Sequence, residues 1–366
     1  MTRRFRRRFA TGILLAGLAL PATGDDSPSV RVYVVNGDSN DVSAYQADGK
    51  TGALAPLPSS PFPASGAPHS IAFGPDGRFA YVANTMDGTV SGYRVDRATG
   101  ALSPTDSGPY GAGGYTVTVV VHPSGKFAFA TSMTSGDVSA YAIEPLTGAL
   151  RAVRDSPYSA GQNTSSAAVD PSGRFLYVGN LVSQNLSAYS IDAASGALQP
   201  LPGSPFGGIP NPRAIAIHPG GRYLYGASAV SNTLFVFEIN GQSGELSPKA
   251  SGRYAVGKDP RSVTVDPKGR FVFVANTEAN SIAVFRVVES TGRLIAVPGS
   301  PFRSGSGPRA MAVDAAGRFV YVVNGRANSV STFRILEESG ALKEVAGSPV
   351  PTGRAPFFVA VMPESR

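Results

Sequence analysis

From residue 31 onward the chain alternates short apolar runs with turn residues, and the alternation keeps a fixed step. The tetrapeptide YVVN at 33 returns as YVAN at 81, FATS at 129, YVGN at 177, YGAS at 225, FVAN at 273 and YVVN at 321, always 48 residues later. A second column runs VSAY at 42, VSGY at 90, VSAY at 138, LSAY at 186, LFVF at 234, IAVF at 282 and VSTF at 330. A third is a turn: TGAL at 51, 99 and 147, SGAL at 195, SGEL at 243, TGRL at 291 and SGAL at 339. Within one unit, Arg213–Ile217 alternates small with branched side chains, Tyr223–Gly226 and Leu234–Phe237 are apolar and aromatic, and Glu245–Ser247 opens a weaker fourth segment. Such alternation, broken by turn residues at intervals of about ten, predicts antiparallel strands joined by hairpins. The third-column Gly and the Gly before Arg or Lys at 77, 125, 173, 221, 269 and 317 mark turns that want positive φ.

A unit of four short strands recurring every 40 to 50 residues is the blade of a β-propeller. A β-solenoid is the competing repeat architecture, but its coils are shorter and have no place for four antiparallel strands. Residues 31–366 are seven times 48, so the fold class predicted is all-β, a seven-bladed propeller of four-stranded antiparallel blades. The phase of the repeat adds a detail. Arg31–Asn36 reads as a second strand without a first, and Phe357–Val361 as a first strand without the rest. Both ends are therefore expected in one blade, which closes the ring without an unpaired edge.

Composition and charge narrow what this ring can do. The 366 residues include 43 Gly and 30 Pro, 42% are hydrophobic, and Cys and Trp are absent. No disulfide, thiol nucleophile, iron–sulfur cluster or Cys-based zinc site is available, and no cofactor is expected. Acidic residues are scattered singly on loops, so no metal site is expected either. The formal charge of +7 rests on Arg3, Arg4, Arg6, Arg7 and Arg8. These precede the apolar run Phe9–Leu20 and the small residues around Ala22, the pattern of an export signal over 1–22, with 23–30 a short linker. Arg6-Arg7-Arg8-Phe9 suits twin-arginine as well as Sec export. The expected location is periplasmic or secreted, off the membrane unless the signal stays uncleaved. Without those five arginines the net charge is +2, too small for a nucleic-acid surface. A monomer is expected.

The YVxN column, the run Gly173-Arg174-Phe175-Leu176-Tyr177-Val178, the TGAL turn and the SPF columns at 204–206 and 300–302 resemble the YVTN-repeat propellers. They are also similar to the seven-bladed lactonase family of 6-phosphogluconolactonase and carboxy-muconate cycloisomerase. The resemblance implies a site at the mouth of the central channel with a His, a Glu and two Arg. It places the two Arg on Arg213 and Arg309, the His on Ser165 and the Glu at about Ala229. Neither proton-transfer residue is then present, and Ser165 with Ala229 cannot do general acid–base work unaided.

In a propeller of this strand order, inner-strand starts and the loops between second and third strands open on one face. That gathers Arg213, Arg261, Arg309 and His69 on one rim, with Asp38, Asp87, Glu278 and Arg326 on the loops. Successive blades rotate by about 51°, so the three arginines sit on consecutive blades with His69 roughly opposite Arg213. Converging guanidinium groups suit a carboxylate or phosphate. The plainer reading is that each Arg tethers its own loop or pairs with Glu278 or a carbonyl. His122 and His218 alternate with Asp170 and Asp266 from blade to blade and read as turn caps; the Arg or Lys at 78, 126, 174, 222, 270, 318 and 366 read as a ring of solvated or blade-bridging charges on the far face. Two functions follow. The first is a propeller offering its mouth to an anionic small molecule, lactone or carboxylate, or to a protein partner. The second is a lactone hydrolase acting outside the cytoplasm, with His69 as its base.

Overall fold

The computed structural model describes residues 29–363; the export signal of 1–22, most of the linker and Arg366 lie outside them. The alternating segments form seven sheets, and each sheet is a path of four antiparallel strands. One blade, taken as the second, runs Pro68–Phe73, Phe79–Asn84, Thr89–Val95 and Leu102–Pro104 from the axis outward. Among the described residues there is no helix. In five blades a further two-residue strand pairs on the third strand beside the short fourth, as Tyr110–Gly111 does on Thr89–Val95. The third strand is seven residues and the fourth only three, so the extra segment satisfies the half of the third strand that the fourth leaves bare.

The apolar faces meet only between blades. Tyr33, Val35 and Ala44 of the first blade pack with Ile71, Val82 and Tyr93 of the second. Val32, Val34 and Val359 of the first blade pack with Ala310, Tyr321 and Val323 of the seventh. The repeated tyrosines explain two of the sequence columns. Tyr33, Tyr81 and Tyr177 donate their hydroxyls to the carbonyls of Gly100, Gly148 and Gly244 at 2.7, 2.9 and 2.7 Å, each a turn glycine in the next blade. Third-strand tyrosines reach the other way: Tyr93 donates to Pro63 at 3.1 Å and Tyr45 to Pro351 at 2.6 Å. In each of these five the partner belongs to a different blade, whereas Tyr225 and Tyr321 of the same column keep buried hydroxyls without a partner. In the SPF columns the serine hydroxyl accepts a third-strand N–H, as from Ala44 to Ser60 at 2.8 Å.

The chain ends meet as the repeat phase predicts. Pro356–Val361 lies antiparallel to Val30–Asn36, with Val34 opposite Val359, and forms the inner strand of the first blade. Across the same seam Arg318 donates to Gly49 at 2.7 Å. On the far face His122 and His218 cap their turns, Nδ1 accepting from Ser124 and Gly220 N–H at 3.0 Å. Their Nε2 atoms then donate to Gly173 and Gly269 of the next blade, at 2.7 and 3.0 Å.

Removing residues 356–366 takes away an inner strand, the partner of Val30–Asn36 and one side of two blade interfaces. The truncated chain is expected to lose more than about 5 kcal/mol and to unfold as a whole. Urea unfolding of the two forms checks this. A midpoint within a few tenths molar of the full chain would contradict a closed ring.

Candidate functional site

Each inner strand starts at one mouth of the channel, and there its pairing slips by one residue. Pro68 faces Asn84 and Ser70 faces Ala83, which leaves His69 unpaired between them. The same slip isolates Val117, Ser165, Arg213, Arg261, Arg309 and Phe357. Such a bulge bends the strand and re-aims one side chain. Two residues before each bulge the backbone turns left-handed: Ala67, Tyr115, Asn163, Asn211, Asp259, Gly307 and Ala355 have φ between 46° and 68°. The seven bulged residues line one cavity of about 280 Å³ on the axis. Three of the seven are arginines on consecutive blades.

The three arginines are not alike. Arg261 is held by its own loop, Nε donating to Asp259 Oδ2 at 2.7 Å, so for this residue the tethering role is real. Arg213 has no hydrogen bond or ion pair with any described residue. Burial, then the charge of Arg261, pulls its guanidinium below the ordinary range. Arg309 Nε and Nη1 are buried without a partner, and burial followed by the charges of Arg261 and Arg326 lowers it as well. What holds Arg309 is Phe357, with Cζ 4.4 Å from the ring centre. Glycine at the end of the second strand makes room for both. A Cβ on Gly325 would lie 2.5 Å from Arg309 Nε, and one on Gly37 would lie 2.5 Å from the Phe357 ring. In other blades this position holds Thr85 or Thr277, whose hydroxyls donate to Thr116 and Pro308 of the next blade.

On the other side of Phe357 in the ring order stands His69, stacked on it at 4.9 Å. His69 Nδ1 is 2.8 Å from the Val117 carbonyl, which can only accept, so Nδ1 carries the proton and Nε2 the lone pair. Burial, and then the charges of Arg213 and Arg309, push its pKa down to about 4 against the Val117 hydrogen bond, which opposes the shift. His69 is therefore neutral at pH 7.

Arg213, Arg261, Arg309 and His69 thus share one cavity, and Glu278 does not join them. It is exposed on its loop, with its N–H donating to Lys258 at 3.2 Å, and it reaches none of the arginines. Ser165, where the resemblance would put a His, lines the cavity and donates to the Pro212 carbonyl at 2.7 Å. Ala229 is not in the lining. Phe357, Val117 and Asp259 were not singled out from the sequence. The first two could have been found by continuing the step that links 213, 261 and 309 around the ring; Asp259 could not, because its role depends on a rotamer. No group of three or more His, Asp or Glu among the described residues is placed to hold a metal.

A family model for lactonases with a seven-bladed β-propeller matches residues 25–210, 119–263, 201–301 and 262–359. A Bacteroides fragilis structure described provisionally as a 6-phosphogluconolactonase superposes with a TM-score of 0.81 at 18% identity, covering 93% of this chain and 99% of its own. The periplasmic gluconolactonase of Pseudomonas aeruginosa gives 0.77 at 22% identity, covering 93% and 100%. A protein from Lactobacillus plantarum gives 0.77 at 19%, covering 91% and 99%. At these identities the likeness shows the fold. No curated protein matches the sequence.

Neutral His69 gives the site a signature in stability. Unfolded, the imidazole titrates near 6.5; folded, near 4. Between those values the unfolded chain binds a proton that the native state does not, so stability falls as pH drops through that window. The expected loss is about 1–3 kcal/mol, toward the lower figure because the ring borders a cavity rather than packed core. His69→Gln should lose less between pH 7 and pH 4.5 than the parent in parallel thermal melts. Equal losses would mean that His69 titrates normally.

Proposed function

Because the chain belongs to the lactonase family of seven-bladed β-propellers, we propose that it is an exported member that binds an anionic small molecule at the mouth of its channel. The observation that carries this reading is that neither Arg213 nor Arg309 is paired with a carboxylate; Asp259 and, for Arg309, Asp38 act on them only through space. A buried guanidinium without a partner is costly. Arg309 has two such nitrogens, and Arg213 stands in the same cavity with no partner of its own. An anionic ligand, carboxylate or phosphate, would relieve both. Arg261, already bound to Asp259, would add a fixed donor between them. Export rests on Arg3 to Arg8 and the apolar run that follows, so the ligand is met outside the cytoplasm.

A second reading, lactone hydrolysis, is favoured by His69. Its Nε2 lone pair is available in the same cavity as the arginines. A gluconolactonase is among the proteins of similar structure. The low basicity of His69 weighs against it, since a general base works best with a pKa near the operating pH. With the family's His and Glu positions filled by Ser165 and Ala229, binding without turnover is the reading we favour.

One experiment separates the two. Calorimetric titration of the protein without residues 1–22 against gluconate and small carboxylates should show binding that weakens about 10- to 100-fold in Arg213→Ala and in Arg309→Met. Arg309→Met should also raise the melting temperature, because it removes unpaired buried donors. The same protein incubated with aldono- and γ-lactones should leave them unhydrolysed above the buffer rate. Arginine-dependent turnover would instead establish the hydrolase. No binding and no turnover would leave the mouth to a protein partner.

A further inference from the structure

Beside the axial cavity a second and larger depression of about 820 Å³ lies on the same face, between the third and fourth blades. It shares Met133 with the arginine cavity, so the two adjoin. Its lining is unusual for a rim that elsewhere carries Asp38, Asp87, Glu278 and Arg326: no charged side chain takes part. Instead it presents neutral donors and acceptors. The Thr134 hydroxyl, the Ser159 hydroxyl, the Gln162 amide and the Tyr115 phenol have no protein partner among the described residues. Asn163 Oδ1 is buried there and equally unpartnered. Ser135 and Ser183, by contrast, are occupied with Asp137 and the Gln162 N–H, at 2.9 and 2.8 Å.

Tyr115 is the second observation. It occupies the left-handed position that precedes each bulge, with φ of 60°. The equivalent positions hold Ala67, Asn163, Asn211, Asp259, Gly307 and Ala355, all small or side chains that tolerate this conformation. For a bulky aromatic residue it costs about 1–2 kcal/mol, and the bulge geometry common to all seven blades imposes it without asking for an aromatic side chain there. Tyr115 is nevertheless 45% exposed, so no core packing accounts for its size. Tyr115 lines this groove, which adjoins the arginine cavity at Met133.

We infer that this groove is a subsite for a neutral sugar ring, which stacks on Tyr115 while its hydroxyls pair with Thr134, Ser159, Gln162 and Asn163. A pyranose has an apolar C–H face and a rim of hydroxyls, the complement of an aromatic plate set among amides and hydroxyls. Coupled to the arginine arc, the groove makes the ligand an acidic saccharide of at least two units, its acid group on Arg213 and Arg309 and its neutral unit over Tyr115. That coupling rests on the anion reading above, whereas the groove stands without it.

Gluconate, three disaccharides that extend it (cellobionate, maltobionate and lactobionate) and their neutral parents (cellobiose, maltose and lactose) test the two parts separately. At least one extended acid is expected to bind about tenfold more tightly than gluconate. Tyr115→Ala should remove that gain and leave gluconate affinity unchanged. Tyr115→Gly, which relieves the backbone, should do the same with an equal or higher melting temperature. If gluconate fails to bind but a neutral parent binds in a Tyr115-dependent way, the groove stands and the anion reading falls. No Tyr115-dependent gain with any of the six disaccharides overturns the inference.

Discussion

A blade of four short strands has two apolar faces and no layer of its own to cover them. The only covering available is the face of the next blade. Every other feature of this protein follows from that constraint. Seven identical steps must return to the start, the last inner strand must come from the opposite end of the chain, and phenols such as Tyr33, Tyr45 and Tyr81 reach across to a neighbour for their hydrogen bonds. Closure also removes the free edges that a sheet of this kind would otherwise expose.

Rotational equivalence turns one local irregularity into a site. A single bulge near the start of an inner strand would tilt one side chain; seven of them, each preceded by a left-handed residue, aim seven side chains at a common axis. The bulge accepts side chains of different kinds, so the ring holds His, Val, Ser, three Arg and Phe, each at a cost set by its own burial and partners. Chemistry enters through the differences among equivalent positions. Arg261 has a carboxylate two residues behind it, whereas Arg213 and Arg309 have Asn211 and Gly307 there and form no ion pair. Gly325 and Gly37 take the place of a threonine that would otherwise spend its hydroxyl on the next blade.

The ring and its seven blades were legible from the sequence because the period repeats each signal several times over. The same step carried the arginine positions, and placing them with His69 at one mouth needed only the strand order. What could not be read were features that depend on side-chain direction. Arg261 and Arg309 are indistinguishable as Pro-Arg pairs, yet one meets Asp259 and the other lies over Phe357. Glu278 sits on a loop of the right face and still does not line the cavity, because nothing in its spacing fixes its rotamer. Tyr115 was hidden for a different reason. No spacing marks an aromatic at 115; the structure shows that it fills a left-handed position held elsewhere by Ala, Asn, Asp or Gly.

Arg213 and Arg309 are two cations that the fold brings into one cavity without a paired carboxylate. Diffraction from crystals soaked in bromide, read by the anomalous signal, tests this most directly. A bromide within hydrogen-bond reach of both Arg213 and Arg309, inside the axial cavity, is the predicted result. Guanidinium groups turned outward or paired with protein carboxylates, and no bromide on the axis, would contradict it.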